Sequence, residues 1–228
     1  MKILLTNDDG YEALGLKLLY DYFSKIAEVV VVSPKTVMSA KSVSIILGKA
    51  VEVDKINDHV FAMEGTPADC VAFGLSSLNK KFDLVVSGCN HGLNISYDTM
   101  YSGTIGACLQ ALTFRVPAIA FSCENNFDVV EENLDKVMSF INKNKLLSTE
   151  YLLNVNFPVS NVVKEVVLTT LYYRKENTYY IHKEDNKYFA TRDIEDERCE
   201  DKNTDAYAIY HDRVSITKLS KSLEYRKG

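Results

Sequence analysis

No stretch of this 228-residue chain approaches the length a helix needs to cross a bilayer. The opening apolar run, residues 2–6, breaks at Asp8 and is far too short for a signal peptide, so a cytoplasmic location is expected. Five cysteines, Cys70, Cys89, Cys108, Cys123 and Cys199, include no Cys-x-x-Cys pair, and their odd number fits reduced thiols better than a disulfide framework. The four histidines, His59, His91, His182 and His211, lack ligand spacing and offer zinc little. Positive charge is also short. Against 31 acids the chain sets 26 bases, interspersed, for a net charge of −5, which argues against a platform for polymeric nucleic acid or an acidic membrane. No internal repeat or low-complexity tract appears. What remains is an ordinary globular composition, 46% hydrophobic and 25% charged, enough for one substantial core with an appended subdomain.

The chain is organised around its first ten residues. Residues 2–6 read as a fully buried strand that ends at Asn7-Asp8-Asp9-Gly10, and behind the glycine Leu16, Leu19, Tyr22, Phe23 and Ile26 recur at helical spacing. The Asp pair therefore falls in a strand-to-helix turn. Further buried strands are expected at 28–33, 82–87, 117–122 and 152–157, with helices from Thr66 to Leu78, from Ser102 to about Leu112, and over 130–141. Residues 50–56 and 59–64 suggest a hairpin around Asn57-Asp58, an excursion from the main sheet. This alternation predicts an α/β fold: a Rossmann-like three-layer arrangement on a mostly parallel sheet, occupying residues 1–160 as a catalytic core. Residues 161–203 change character. The stretches 163–173, 178–183 and 187–192 are β-branched and aromatic, so a C-terminal antiparallel β-hairpin extension and oligomerisation region is expected there. The charged stretch 193–205 reads as a mobile loop, and 204–228 as a return segment with a short basic tail.

In open α/β sheets ligands gather outside the carboxyl ends of the strands, where several polar loops should meet. Asp8 and Asp9 follow the first strand, Ser39 the second, and Asn90 and Asn94 the 82–87 strand; Ser102-Gly103-Thr104 opens the next helix. Thr66, Pro67 and Asp69 make a complete helix start and are assigned capping alone. Two carboxylates, an amide and a hydroxyl form an all-oxygen set for Mg²⁺, Mn²⁺ or Ca²⁺. Such a cation beside a helix N-terminus, with its unpaired N–H groups, equips a site for phosphate-ester hydrolysis.

Taken together, Asn7-Asp8-Asp9-Gly10, Ser39, Gly65-Thr66-Pro67-Ala68-Asp69-Cys70, Val85-Val86-Ser87-Gly88 leading to Asn90, and Tyr101-Ser102-Gly103-Thr104 resemble the SurE family, the survival-protein nucleotidases. The likeness covers roughly residues 1–158 and resumes at Thr204-Asp205 and 214–217. It implies a Rossmann-like fold and metal-dependent hydrolysis of nucleoside 5′- and 3′-monophosphates, in homodimers or homotetramers joined through C-terminal elements. Carried over residue by residue, Asp8, Asp9, Ser39 and Asn90 would bind one divalent cation per subunit, Mg²⁺ or Mn²⁺ before Ca²⁺, with Asp8 and Asp9 as the catalytic pair. Asn94, Ser102, Gly103 and Thr104 would face the phosphate. The chain departs from the family at Ala40, where glycine is usual, at Cys89, where a branched aliphatic is usual, and in the hairpin, which lacks the Asp-Pro-Arg-Gly turn and the tryptophan.

Other readings stay open from sequence. His91 could act as an acid or proton shuttle. Asp8 could attack phosphorus itself, although enzymes doing so typically space their two aspartates one residue apart. The chain could also be a nucleotide-binding sensor without turnover, or a broader phosphatase or exopolyphosphatase.

Overall fold

Residues 2–6 form β1 (Lys2–Thr6), followed by α1 (Leu14–Phe23) and β2 (Glu28–Pro34). The chain then forms β3 (Val53–Lys55), β4 (Val60–Met63), α2 (Pro67–Ser77), β5 (Leu84–His91), α3 (Asp98–Tyr101), α4 (Gly103–Thr113), β6 (Ala118–Cys123), α5 (Phe127–Lys143) and β7 (Tyr151–Asn156). It ends with β8 (Glu165–Thr169), β9 (Glu176–Glu184), β10 (Lys187–Ile194), α6 (Asp205–Tyr210) and β11 (Arg213–Ser220). The structure is a computed structural model describing residues 1–124, 126–194 and 199–220.

Among the described residues nine strands make one sheet in the order β3-β4-β2-β1-β5-β6-β7-β11-β8, parallel from β4 to β7, with β3 and β11 antiparallel to their neighbours β4 and β7. Strand alternation sends Ile3, Leu5, Val29, Val31 and Val86 to one face, against α1 and α5. It sends Leu4, Val30, Val32 and Val85 to the other, against α2 and α4. Both faces are covered, which is why the strands read as continuous apolar runs. A fully buried Leu or Val is worth roughly 1.5–3 kcal/mol, so these two layers fix the sheet in place.

Two expectations need correction. The 50–64 hairpin is not an excursion: β4 pairs in parallel with β2 through Val31–Val60 to Pro34–Met63, so β3 and β4 form one edge of the main sheet. The stretch 163–173 is not part of an antiparallel hairpin either. Its strand β8 pairs in parallel with β11 from Arg213–Glu165 to Thr217–Thr169, because β11 returns to the sheet beside β7 and offers it a free edge. Among the described residues, β9 and β10 alone form a separate antiparallel pair. Of the charged stretch 193–205, residues 195–198 lie outside the described residues, as does the tail 221–228. Asn203 to Asp205 are ordered against Thr170, whose N–H donates to Asn203 O at 2.9 Å.

The position of the site follows from the strand order. After β1 the chain builds outward through β2 to β4, then crosses back to place β5 on the other side of β1. The carboxyl ends of β1 and β5 therefore flank the switch point of the sheet, where an open crevice forms.

Candidate functional site at the β1–β5 switch point

The acidic turn is clamped by its neighbours. Asn7, fully buried, donates from Nδ2 to Gly10 O at 2.9 Å and accepts from the Ser33 hydroxyl. Met38 N–H donates to Asp8 O at 2.7 Å, and Tyr11 N–H to Pro34 O at 3.0 Å, so the loops after β1 and β2 are tied together. Gly10 completes the turn at φ +101°, a conformation that a side chain would strain. Neither Asn7, which enters the sequence reading only as part of its motif, nor Ser33 carries an expected role, since an Asn before an acidic pair gives no hint that its amide will hold the turn.

Asp8 and Asp9 diverge in environment. Asp8 is 4% exposed and lies at the open end of α4, where the Thr104 hydroxyl donates to its Oδ1. A Cβ added at Gly103 would stand 2.9 Å from Asp8 Cβ, 3.1 Å from its Oδ2 and 3.1 Å from Pro67 Cγ, so only glycine lets α4 come this close. Burial lifts the Asp8 pKa from 3.8 to about 6; Thr104 opposes the rise and the neighbouring Asp9 adds to it. Asp9 is half-buried and its Oδ2 accepts from the His91 N–H at 3.1 Å, across the switch point from β5. Among the described residues no Lys or Arg pairs with either carboxylate.

The remaining expected residues divide. Asn90 donates from Nδ2 to Gly92 O at 2.7 Å, which leaves its carboxamide oxygen without a hydrogen-bond partner among the described residues. Ser39 is exposed on the loop that Met38 pins against Asp8. Ser102 caps α4, its hydroxyl oxygen accepting from Ile105 N–H at 3.2 Å, and the Thr104 N–H is turned to the Asp8 carboxylate, which leaves Gly103 to carry an open first-turn N–H. Two residues expected at the phosphate are engaged elsewhere. The Thr104 hydroxyl is directed at Asp8. Asn94, 4% exposed, donates from Nδ2 to Ser122 Oγ at 2.8 Å, while its backbone O accepts from Asn154 and Asn156. That network spans β6 and β7 and fixes the loop leading to α3. Local sequence could not reveal it, since its partners lie 28 to 62 positions away.

The His91 ring lies 6.3 Å from that of Phe127. Cys89 is fully buried in the α1–α5 core, its Sγ 3.9 Å from that of Cys123, and burial pushes its thiol well up. Thr66 and Asp69 form the expected capping box at α2. An apolar groove of about 920 Å³ between α4, β8 and β11 excludes the Asp pair.

The model of the family described as survival protein SurE matches residues 3–178. The chain belongs to the SurE family. A 5′-nucleotidase SurE from Clostridium botulinum (strain Alaska E43 / Type E3) is 34% identical over 236 residues, covering 96% of this chain and 93% of the relative. A 5′-nucleotidase SurE from Vibrio parahaemolyticus is 36% identical over 233 residues, covering 98% and 90%. The crystal structure of the SurE protein from Aquifex aeolicus superposes with a TM-score of 0.84 at 31% identity, covering 98% of this chain and 95% of that one. The nine-stranded sheet is thus the SurE fold.

In this SurE chain the residues at the switch point fit a hard divalent cation. Among the described residues no group of three or more His, Cys, Asp or Glu side chains gathers where it could hold a metal ion, so a cation here would draw on the Asp pair together with amide and hydroxyl oxygens. Two adjacent carboxylates without a basic partner among the described residues, with the Asn90 carboxamide oxygen left unpaired at the end of the neighbouring strand, offer oxygen donors. Ionising the buried Asp8 beside Asp9 is unfavourable unless a positive charge joins them.

Proposed function

We propose that this chain is a 5′-nucleotidase, a hydrolase that releases phosphate from nucleoside 5′- and 3′-monophosphates. The observation that carries the reading is the contact of the Asp8-Asp9 turn with the open first turn of α4 through Gly103, which brings an anion-binding helix end against an acidic pair. Two carboxylates beside an anionic ester repel it unless a cation intervenes, so a metal-free nucleotide sensor is the poorer fit. The names of the relatives from Clostridium botulinum and Vibrio parahaemolyticus point the same way.

Asp8, Asp9, Ser39 and Asn90 would hold one divalent cation per subunit, Mg²⁺ or Mn²⁺. Bound there, it would neutralise the carboxylates and polarise a phosphoryl oxygen. The Gly103 N–H and the Ser102 hydroxyl would take charge developing on the other phosphoryl oxygens, preorganised by the helix cap. Thr104 orients Asp8, and the His91 N–H orients Asp9. Asn94 supports this machinery by holding the loop between β5 and α3. A homodimer or homotetramer belongs to the same reading; Tyr180, Tyr188 and Phe189, each more than half exposed on β9–β10, suit a subunit contact. So does a cytoplasmic location, which five free cysteines suit.

The test is a phosphate-release screen over nucleoside 5′- and 3′-monophosphates, sugar phosphates and polyphosphate, each with Mg²⁺, Mn²⁺ or chelator. Cation-dependent release from nucleoside monophosphates above the other classes is expected. Preferential release from polyphosphate, or turnover indifferent to chelator, would overturn the reading.

A further inference from the structure

We propose that the cleft between α3 and the base of the β9–β10 hairpin is the nucleobase subsite of this centre, with Tyr97, Tyr101 and Tyr173 as its aromatic walls. The proposal rests on the nucleotidase reading and extends it to the part of the substrate that the phosphate machinery does not touch.

Position comes first. Tyr101 lies two residues, at most about 7 Å of chain, ahead of Gly103. Gly103 in turn touches Asp8. A phosphate held at the first turn of α4 therefore leaves its ribose and base within reach of the cleft. The volume is suitable: about 580 Å³, inside the range of roughly 300–1,000 Å³ typical of small-molecule sites.

The lining chemistry is that of a base platform. The Tyr97 and Tyr173 rings stand 5.2 Å apart at 52°, while Tyr101 and Tyr173 remain 47% and 59% exposed. Exposed aromatic faces turned to one cleft offer stacking that every base can use. Asn177 and Thr178 also line the cleft. Their side chains both donate and accept, which matches the mixed donor and acceptor edge of a base.

The walls are held before any ligand arrives. Arg174, 5% exposed, bridges Asp98 Oδ2 at 2.9 Å and Glu176 Oε2 at 3.0 Å. Arg192 from β10 pairs with the other Asp98 oxygen and lies 5.1 Å over the Tyr101 ring. Asp98 opens α3, and its backbone O accepts from the Ser102 N–H at 3.0 Å. One carboxylate thus fastens the hairpin to the segment that presents the α4 cap, a preorganisation that lowers the entropy lost on binding.

The experiment compares kcat/KM for AMP with that for ribose 5-phosphate, which lacks a base, in the wild type, Tyr173→Ala and Tyr173→Phe. Losing a stacking partner is expected to reduce the AMP-to-ribose 5-phosphate ratio about tenfold or more in Tyr173→Ala, chiefly through KM for AMP. Tyr173→Phe keeps the ring and is expected to keep the ratio. An unchanged ratio in Tyr173→Ala, or a wild type that does not prefer AMP, overturns the subsite. Calorimetry with adenosine, which carries no phosphate, provides a separate arm: binding to the wild type weakened about tenfold in Tyr173→Ala is expected, and no adenosine binding overturns the proposal. If no ester is hydrolysed at all, the nucleotidase reading falls, while the adenosine titration still decides the subsite.

Discussion

Replacing Asp8 with Asn is expected to stabilise the cation-free protein while abolishing its turnover. The folded pKa of Asp8 is about 6 against an ordinary 3.8, raised chiefly by burial. The folded state therefore binds the Asp8 proton more tightly than the unfolded state does. Below pH 3.8 both states are protonated and no penalty exists; the penalty grows as pH rises through 3.8 to 6 and is complete above that. A difference of about two pKa units at 1.36 kcal/mol each puts it near 3 kcal/mol at pH 7.5. Asn keeps the shape, can still accept from the Thr104 hydroxyl through Oδ1 and carries no charge, so it escapes the penalty, less what is lost where its amide N–H meets the Thr104 backbone N–H. Urea unfolding with chelator should show the stability of Asp8→Asn relative to wild type rising by about 2–3 kcal/mol between pH 4 and pH 7.5. Adding Mg²⁺ or Mn²⁺ at pH 7.5 should stabilise the wild type and leave the variant nearly unmoved. A stability difference that stays the same between the two pH values, or that falls as pH rises, would refute the reasoning.

Asp9→Asn should reduce phosphate release by orders of magnitude with an unchanged circular dichroism spectrum; near wild-type turnover at saturating Mn²⁺ would remove Asp9 from the cation site. Gly103→Ala places a methyl group 2.9 Å from Asp8 Cβ and 3.1 Å from Pro67 Cγ. The overpacking should cost about 1–3 kcal/mol in chemical denaturation and at least tenfold in turnover. Asp205, fully buried, accepts from Tyr172 N–H and Ala206 N–H at 2.8 Å and Ser96 N–H at 3.2 Å, joining the α3 loop to α6. Asp205→Asn should turn an amide N–H toward one of these donors and cost about 1–3 kcal/mol, read as a lowered thermal midpoint.

Much of this molecule was legible because the signals were local. The apolar run before Asn7-Asp8-Asp9-Gly10 predicts a buried strand and its turn, and the Thr66-Pro67-x-Asp69 start predicts a capping box that forms in full. Periodicity predicts α5 over 130–141, and the helix extends to Phe127–Lys143 because Asn126 caps it from outside the apolar stripe. The strand at 163–173 misled, since β-branched composition reports extended backbone and says nothing of which edge will accept it. The same limit applies at the site, where Thr104 and Asn94 have polar side chains whose partners are chosen by distant segments.

By itself, then, the order of residues determined the elements, their caps and the acidic turn, since each depends on contacts within a few positions along the backbone. Tertiary structure alone decided that β8 joins the main sheet, that Thr104 serves Asp8, that Asn94 is drawn into a buried amide network, and that burial rather than the helix end governs the Asp8 proton. Those outcomes depend on long-range pairing and on exclusion of water, neither of which a short window of sequence contains.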